Sequence, residues 1–133
     1  MTSISDPNIS PDFTERQCTD FGPQRLAYSA QINEATQTTP GVIFCGGFRS
    51  DMGGTKALAL ASWAAERKQN FVRFDYFGHG SSTGTFTDGT ISHWRGDIPH
   101  ILDMLAQGPQ ILVGSSFGGW LSTLAALDRP DKV

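Results

Sequence analysis

The chain has 133 residues, 38% hydrophobic and 17% charged, a composition that fits one globular domain and excludes a disordered or fibrous polymer. Ten Lys and Arg against 13 Asp and Glu give a formal net charge of -3. The basic residues are scattered singly, so no patch neutralises phosphates or holds anionic lipid, and neither nucleic acid nor a membrane is an expected partner.

Residues 1–12 are dominated by Ser, Asp, Asn and Pro, which bury little surface, and are expected to form a mobile tail ahead of a domain over 13–133. The tail lacks the basic and apolar regions of a secretory signal, and no apolar run approaches the roughly 18 residues of a membrane span. Cys18 and Cys45 lie far apart without a CxxC or Cys/His spacing. They suggest neither a zinc site nor a disulfide framework, and a reducing, cytoplasmic location is expected.

Gly22 and Pro23 separate two stretches of partial polar/apolar alternation, FTERQC and QRLAYSAQI, which predicts an antiparallel hairpin. NEATQTTPG reads as a loop. VIFC, residues 42–45, is continuously apolar, as a strand covered on both faces would be, and ends in Gly46 and Gly47. After the loop GGFRSDMGGT, KALALASWAAERK has strong helix propensity, with Leu60, Ala61, Trp63 and Ala64 as its apolar face.

FVRFDY, residues 71–76, is the next strand, and FGHGSSTGTFTDG is a glycine- and serine-rich loop. ISHWRGDIPHILDMLA places Ile91, Trp94, Ile98, Ile101, Leu102 and Leu105 near helical spacing. Pro99 cannot donate to the carbonyl of Arg95 and should kink that helix or start a new one. Gly108-Pro109 ends the segment, and QILVGS forms the last strand. Strand and helix thus alternate three times, which predicts an α/β fold with a mostly parallel sheet, flanking helices and an N-terminal antiparallel hairpin.

The last strand runs into Gly114-Ser115-Ser116-Phe117-Gly118, a G-x-S-x-G string between a buried strand and an apolar helix. On so sharp a turn the central Ser116 takes a strained conformation, and side chains two residues to either side would collide with it. The turn lifts the Ser116 hydroxyl above the carboxyl end of the sheet, over a helix N-terminus that favours negative charge. Ser116 is therefore the candidate nucleophile, and Ser115 a small residue tolerated by packing. A serine needs a base to take its proton, and acyl transfer needs two donors aimed at the oxyanion. The Phe117 N–H is one expected donor. The other is expected from the loop after VIFC, at Phe48 or, in the alternative register, Gly47.

In chain order, CGGF at 45–48, the D-x-x-G-H-G-x-S loop at Asp75, Gly78, His79, Gly80 and Ser82, and the 114–118 turn resemble the α/β-hydrolase superfamily. The stretches GGFRSDMGGTKA, RFDYFGHGSSTG and GPQILVGSSFGGWL resemble, within it, the branch of mitochondrial palmitoyl-protein thioesterases and mycophenolic acid acyl-glucuronide esterases with their bacterial relatives. The resemblance implies hydrolysis of a small-molecule ester or thioester through an acyl-serine, without metal or organic cofactor, by a triad ordered Ser, Asp, His. No histidine follows Ser116. Asp128 and Asp131 fall in or just beyond the last helix, where the family does not place its acid. The chain is thus expected to be the N-terminal half of a hydrolase, with the triad acid and base outside it. The alternative is a non-catalytic binding module that kept the fold.

His79 is expected to support the site rather than act as base. His93 and His100, seven apart, are expected on one solvated helical face, and Asp75 is expected to hold its loop through backbone hydrogen bonds. GGTK at 53–56 lacks the Walker order, so no nucleotide site is expected. Trp63, Trp94 and Trp120 are expected to fill core between helix and sheet rather than to line an acyl pocket.

Overall fold

The computed structural model describes residues 10–18, 21–33 and 39–133. The expected tail lies outside the described residues as far as residue 9, and Asp12 already belongs to a strand.

Strands β1 (Asp12–Cys18) and β2 (Gly22–Gln31) form the antiparallel hairpin that the Gly-Pro signal predicts, with Phe13 opposite Ala27. Then follow β3 (Gly41–Cys45), α1 (Thr55–Arg67), β4 (Phe71–Phe74), α2 (Ile91–Arg95), α3 (Asp97–Leu105), β5 (Gln110–Gly114) and α4 (Phe117–Asp128). The five strands form one sheet in the order β1-β2-β4-β3-β5; β2 pairs antiparallel with β4, whereas β3 runs parallel to both β4 and β5.

Every residue of β3 is buried, because the alternating side chains of a central strand meet a layer on each face. Val42 and Phe44 pack with Ala57, Ala61 and Ala64 of α1. Ile43 and Cys45 face the larger core, which contains Trp94, Ile98, Ile101 and Leu102 of α2 and α3 and Leu121 and Ala125 of α4. From β3 the chain passes through α1 to β4 on one side, then through α2 and α3 to β5 on the other. The carboxyl ends of β3 and β5 therefore flank the crevice at which strand order reverses, where open α/β sheets bind ligands.

Two expectations change, those for the histidines and for the tryptophans. Residues 91–105 form two helices meeting at Gly96, and Pro99, expected to kink the segment or start a new helix, falls in the first turn of α3, where its missing N–H costs no hydrogen bond. That break removes the shared face proposed for His93 and His100: His93 is buried against Phe77, ring centroids 4.1 Å apart, and His100 Nε2 lies 3.1 Å from Thr14 Oγ1. Of the tryptophans only Trp94 fills core. Trp63 is 39% exposed beneath the Arg67 guanidinium and Trp120 is 54% exposed: α1 buries Ala57, Ala61 and Ala64 and α4 buries Gly118, Leu121 and Ala125, and neither ring lies among them.

Candidate active site

Ser116 joins β5 to α4 with φ 54° and ψ -116°, outside the ordinary regions for an L-residue and costing of order 1–3 kcal/mol. The neighbouring glycines make that turn possible. A Cβ on Gly118 would collide with the carbonyl oxygens of Cys45 and Gly46, and one on Gly114 would lie 2.5 Å from Gly119 Cα. Ser116 itself is exposed.

The elbow is pinned to the end of β3. The Ser115 N–H donates to the Cys45 carbonyl at 3.1 Å, and the Ser115 carbonyl accepts from the Gly118 N–H at 2.9 Å. The Ser115 hydroxyl, expected only to fit, accepts from Lys56 Nζ at 3.0 Å. An open groove beside it is lined by Phe44, Lys56, Leu60, Val113, Ser115 and Ser116.

The loop after β3 reaches the same place. A Cβ on Gly47 would lie 3.5 Å from the Ser115 carbonyl oxygen, and the rings of Phe48 and Phe117 are 5.5 Å apart. Along α4's start, the N–H groups of Gly118 and Gly119 go to the Ser115 and Ser116 carbonyls, each at 2.9 Å. Neither the Phe117 N–H nor the Phe48 N–H donates to a protein acceptor among the described residues, and the same holds for Gly47. Beneath them Phe48, Phe86, Trp94 and Phe117 form an aromatic cluster, with Phe48 5.0 Å from Phe86 and 5.9 Å from Trp94.

The loop after β4 braces this arrangement. Asp75 accepts from the Met52 N–H at 2.7 Å and the Ser81 N–H at 2.9 Å, as the reading of a loop-holding carboxylate requires. Burial raises its pKa, against the pull of those two donors. His79 is 3% exposed; its Nδ1 lies 2.9 Å from the Phe77 carbonyl, and its Nε2 accepts from the Arg49 N–H at 3.1 Å. Both ring nitrogens are occupied, so His79 offers no lone pair to a serine. Asp128 is equally committed, in a bidentate pair with Arg95 at 2.9 and 2.7 Å.

Sequence reasoning missed Asp97. It is fully buried, with Oδ1 2.7 Å from Arg16 Nη1 and Oδ2 accepting from the Phe77 N–H at 2.9 Å. Burial pushes its carboxyl up to about 7, with the Phe77 N–H and Arg16 pulling the other way. The available signal was a charge between Trp94 and Ile98, inside an apolar stripe. Among the described residues, no group of three or more His, Cys, Asp or Glu is placed to hold a metal, and no helix is long and apolar enough to cross a membrane.

The family model for the alpha/beta hydrolase fold matches residues 42–133. Over 95 residues the chain is 52% identical to the mouse protein named palmitoyl-protein thioesterase ABHD10, mitochondrial, a match covering 71% of this chain and 32% of that one. The solved structure of mouse alpha/beta hydrolase domain-containing protein 10 matches with a TM-score of 0.80 at 43% identity, covering 92% of this chain and 46% of that one. A crystal structure of a hydrolase from Agrobacterium vitis S4 matches with a TM-score of 0.81 at 37% identity, covering 92% and 47%. The chain thus spans about a third of the length of the curated relative and just under half of the two solved chains.

Proposed function

The chain belongs to the α/β-hydrolase family, and from that premise we propose that it is the nucleophile-bearing part of a serine hydrolase cleaving carboxylic esters or thioesters through an acyl-serine. The thioester option draws on the name of the mouse relative. The observation that carries the reading is the backbone of Ser116, held at φ 54° and exposed beside the loop that follows β3. A protein keeps such strain where the surrounding structure enforces it for a purpose.

In the proposed reaction Ser116 Oγ attacks the acyl carbonyl carbon while a base takes the hydroxyl proton. The carbonyl oxygen becomes an oxyanion, which the N–H groups of Phe117 and of Phe48, or Gly47 in the alternative register, stabilise. Collapse expels an alkoxide or thiolate, which the protonated base neutralises, and water then releases the acid by the same route. With no histidine after Ser116, the base and its acid partner are proposed to come from sequence following this stretch. A reducing, cytoplasmic compartment is proposed from the sequence, in which Cys18 and Cys45 lie far apart without the spacing of a disulfide framework or zinc site.

The test is labelling of the full-length protein with a fluorophosphonate probe, with and without Ser116→Ala. Loss of labelling in the variant is the expected result, and labelling unchanged would remove the assignment.

A further inference from the structure

His79 is a buried titratable group that bonds the loop after β3 and has no part in the proposed proton transfers. Its hydrogen bonds fix its tautomer. The Phe77 carbonyl can only accept, so Nδ1 carries the proton; the Arg49 N–H can only donate, so Nε2 is bare. The Phe77 carbonyl is itself held by Trp94 Nε1 at 2.8 Å, and the Phe77 N–H by Asp97 Oδ2 at 2.9 Å. The imidazole is thus anchored at one end to a fixed peptide and grips Arg49 with the other.

Arg49 matters because of where its peptide lies. Its φ is 62°, in the left-handed region that is unfavourable for an L-residue, so contacts from outside the loop help to hold it there. On the other side of Phe48, the Gly46 carbonyl accepts from the Tyr76 hydroxyl at 3.1 Å. Between these two anchors sits the Gly47–Phe48 peptide, whose carbonyl is taken by the Ser50 N–H at 3.1 Å. The Gly46 and Gly47 carbonyls and the Arg49 N–H around the Phe48 N–H are all held, while the Phe48 N–H itself donates to no protein acceptor among the described residues. His79 also packs against Tyr76, Phe86 and Trp94, at centroid distances of 5.5, 5.2 and 5.5 Å.

We infer that His79, seconded by Tyr76, is a positioning residue that holds the Phe48 N–H in place for the developing oxyanion, and that it does so as a neutral acceptor to the Arg49 N–H. This rests on the proposed serine-hydrolase reading.

The experiment uses the full-length protein and two substitutions that divide the two hydrogen bonds. His79→Gln places an acceptor near the position of Nε2; His79→Asn places a donor near Nδ1 and leaves Arg49 unheld. Steady-state hydrolysis of a p-nitrophenyl acyl ester is measured per folded molecule, counted from thermal unfolding. His79→Asn is expected to lower kcat roughly 10- to 100-fold with KM changed less than about 2-fold, since a displaced oxyanion donor acts on the transition state alone. His79→Gln is expected to recover most of that loss. Equal kcat in both variants and wild type, or equal losses in both, overturns the inference. Should both variants fail to fold, Tyr76→Phe decides, because it removes only the hydroxyl bond to Gly46: a fall in kcat with unchanged KM supports the bracket, and an unchanged kcat overturns it. Ser116→Ala, run in parallel, separates the two claims: residual hydrolysis unchanged in that variant counts against the proposed function, whatever His79 does.

Discussion

Lys56 and Ser115 meet across 3.0 Å, the ammonium donating to the hydroxyl, and so tie the first turn of α1 to the strand-to-helix elbow. This bond occupies the hydroxyl next to the candidate nucleophile, and its exposed setting limits its energetic weight to about 1 kcal/mol or less.

Ser115→Ala is therefore expected to keep fluorophosphonate labelling within about 2-fold of wild type in the full-length protein and to lower stability by no more than about 1 kcal/mol. The backbone bonds of Ser115 to Cys45 and Gly118 survive the substitution. Loss of labelling in Ser115→Ala, with labelling kept in Ser116→Ala, would move the nucleophile one residue toward the N-terminus.

The elbow glycines give a sharper stability contrast. A methyl at Gly118 meets two backbone carbonyl oxygens of β3's end, and Cys45's is already held by the Ser115 N–H, so neither can retreat. Gly118→Ala is expected to cost about 3 kcal/mol or more, at the upper end of overpacking. Gly108, with φ 70° and open space around its missing Cβ, meets only the left-handed backbone cost of about 1–2 kcal/mol. Urea unfolding of the two variants checks the order, and Gly108→Ala equal to or worse than Gly118→Ala would contradict it.

Asp97 makes stability depend on pH in an unusual direction. Its folded carboxyl titrates at about 7, above the roughly 3.9 of an unfolded aspartate, so between those values the folded state holds a proton that the unfolded state has lost. Its contribution is fully present below about pH 4 and fades as pH rises toward 7. Asp75, raised by burial as well, slopes the same way. Asp97→Asn keeps the shape and removes the titration. The stability of wild type minus that of the variant, from urea midpoints at a series of pH values, is expected to fall across this window. A difference that rises with pH would mean that Arg16 outweighs burial.

Much of this was legible because local chemistry dictates it. The glycines around Ser116 permit a sharp turn, and the β-branched apolar run VIFC before Gly46-Gly47 suits a strand covered on both faces. Gly22-Pro23 opens β2 where the hairpin was expected. What was not legible depends on contacts distant in sequence or on phase. A helix wheel carried through Gly96 assigns His93 to solvent, yet the break rotates it onto Phe77. Trp63 and Trp120 look like core by type, but α1 turns three alanines inward and α4 turns Gly118, Leu121 and Ala125, leaving the large rings at the margin. The Arg16–Asp97 pair joins residues 81 apart in sequence, and no pattern within either segment announces it. The same holds for the tautomer of His79, which only the Phe77 carbonyl and the Arg49 N–H decide.

The sheet's edge yields the last prediction. Among the described residues β5 pairs only with β3; at its start the Gln110 N–H donates to the Lys132 carbonyl at 2.7 Å, and the rest of its outer edge has no ladder partner. The strand is apolar, and Ile111 is 52% exposed on the face shared with Val42, its register partner. α4 adds Trp120 and Leu127, seven apart and both exposed, on the layer covering the opposite face. Beyond the bond from Gln110 to Lys132, β5 itself carries no proline and no charge to blunt the edge. The 133-residue chain alone is accordingly expected to self-associate, with sedimentation velocity showing species larger than a monomer at tens of micromolar. Ile111→Lys sets a charge on that edge without entering the core, and is expected to shift the distribution toward monomer while leaving the unfolding midpoint nearly unchanged. A wild-type chain that stays monomeric at high concentration would show that the edge is protected by other means. An Ile111→Lys chain that associates as strongly as wild type would instead place the contact on the Trp120 and Leu127 side.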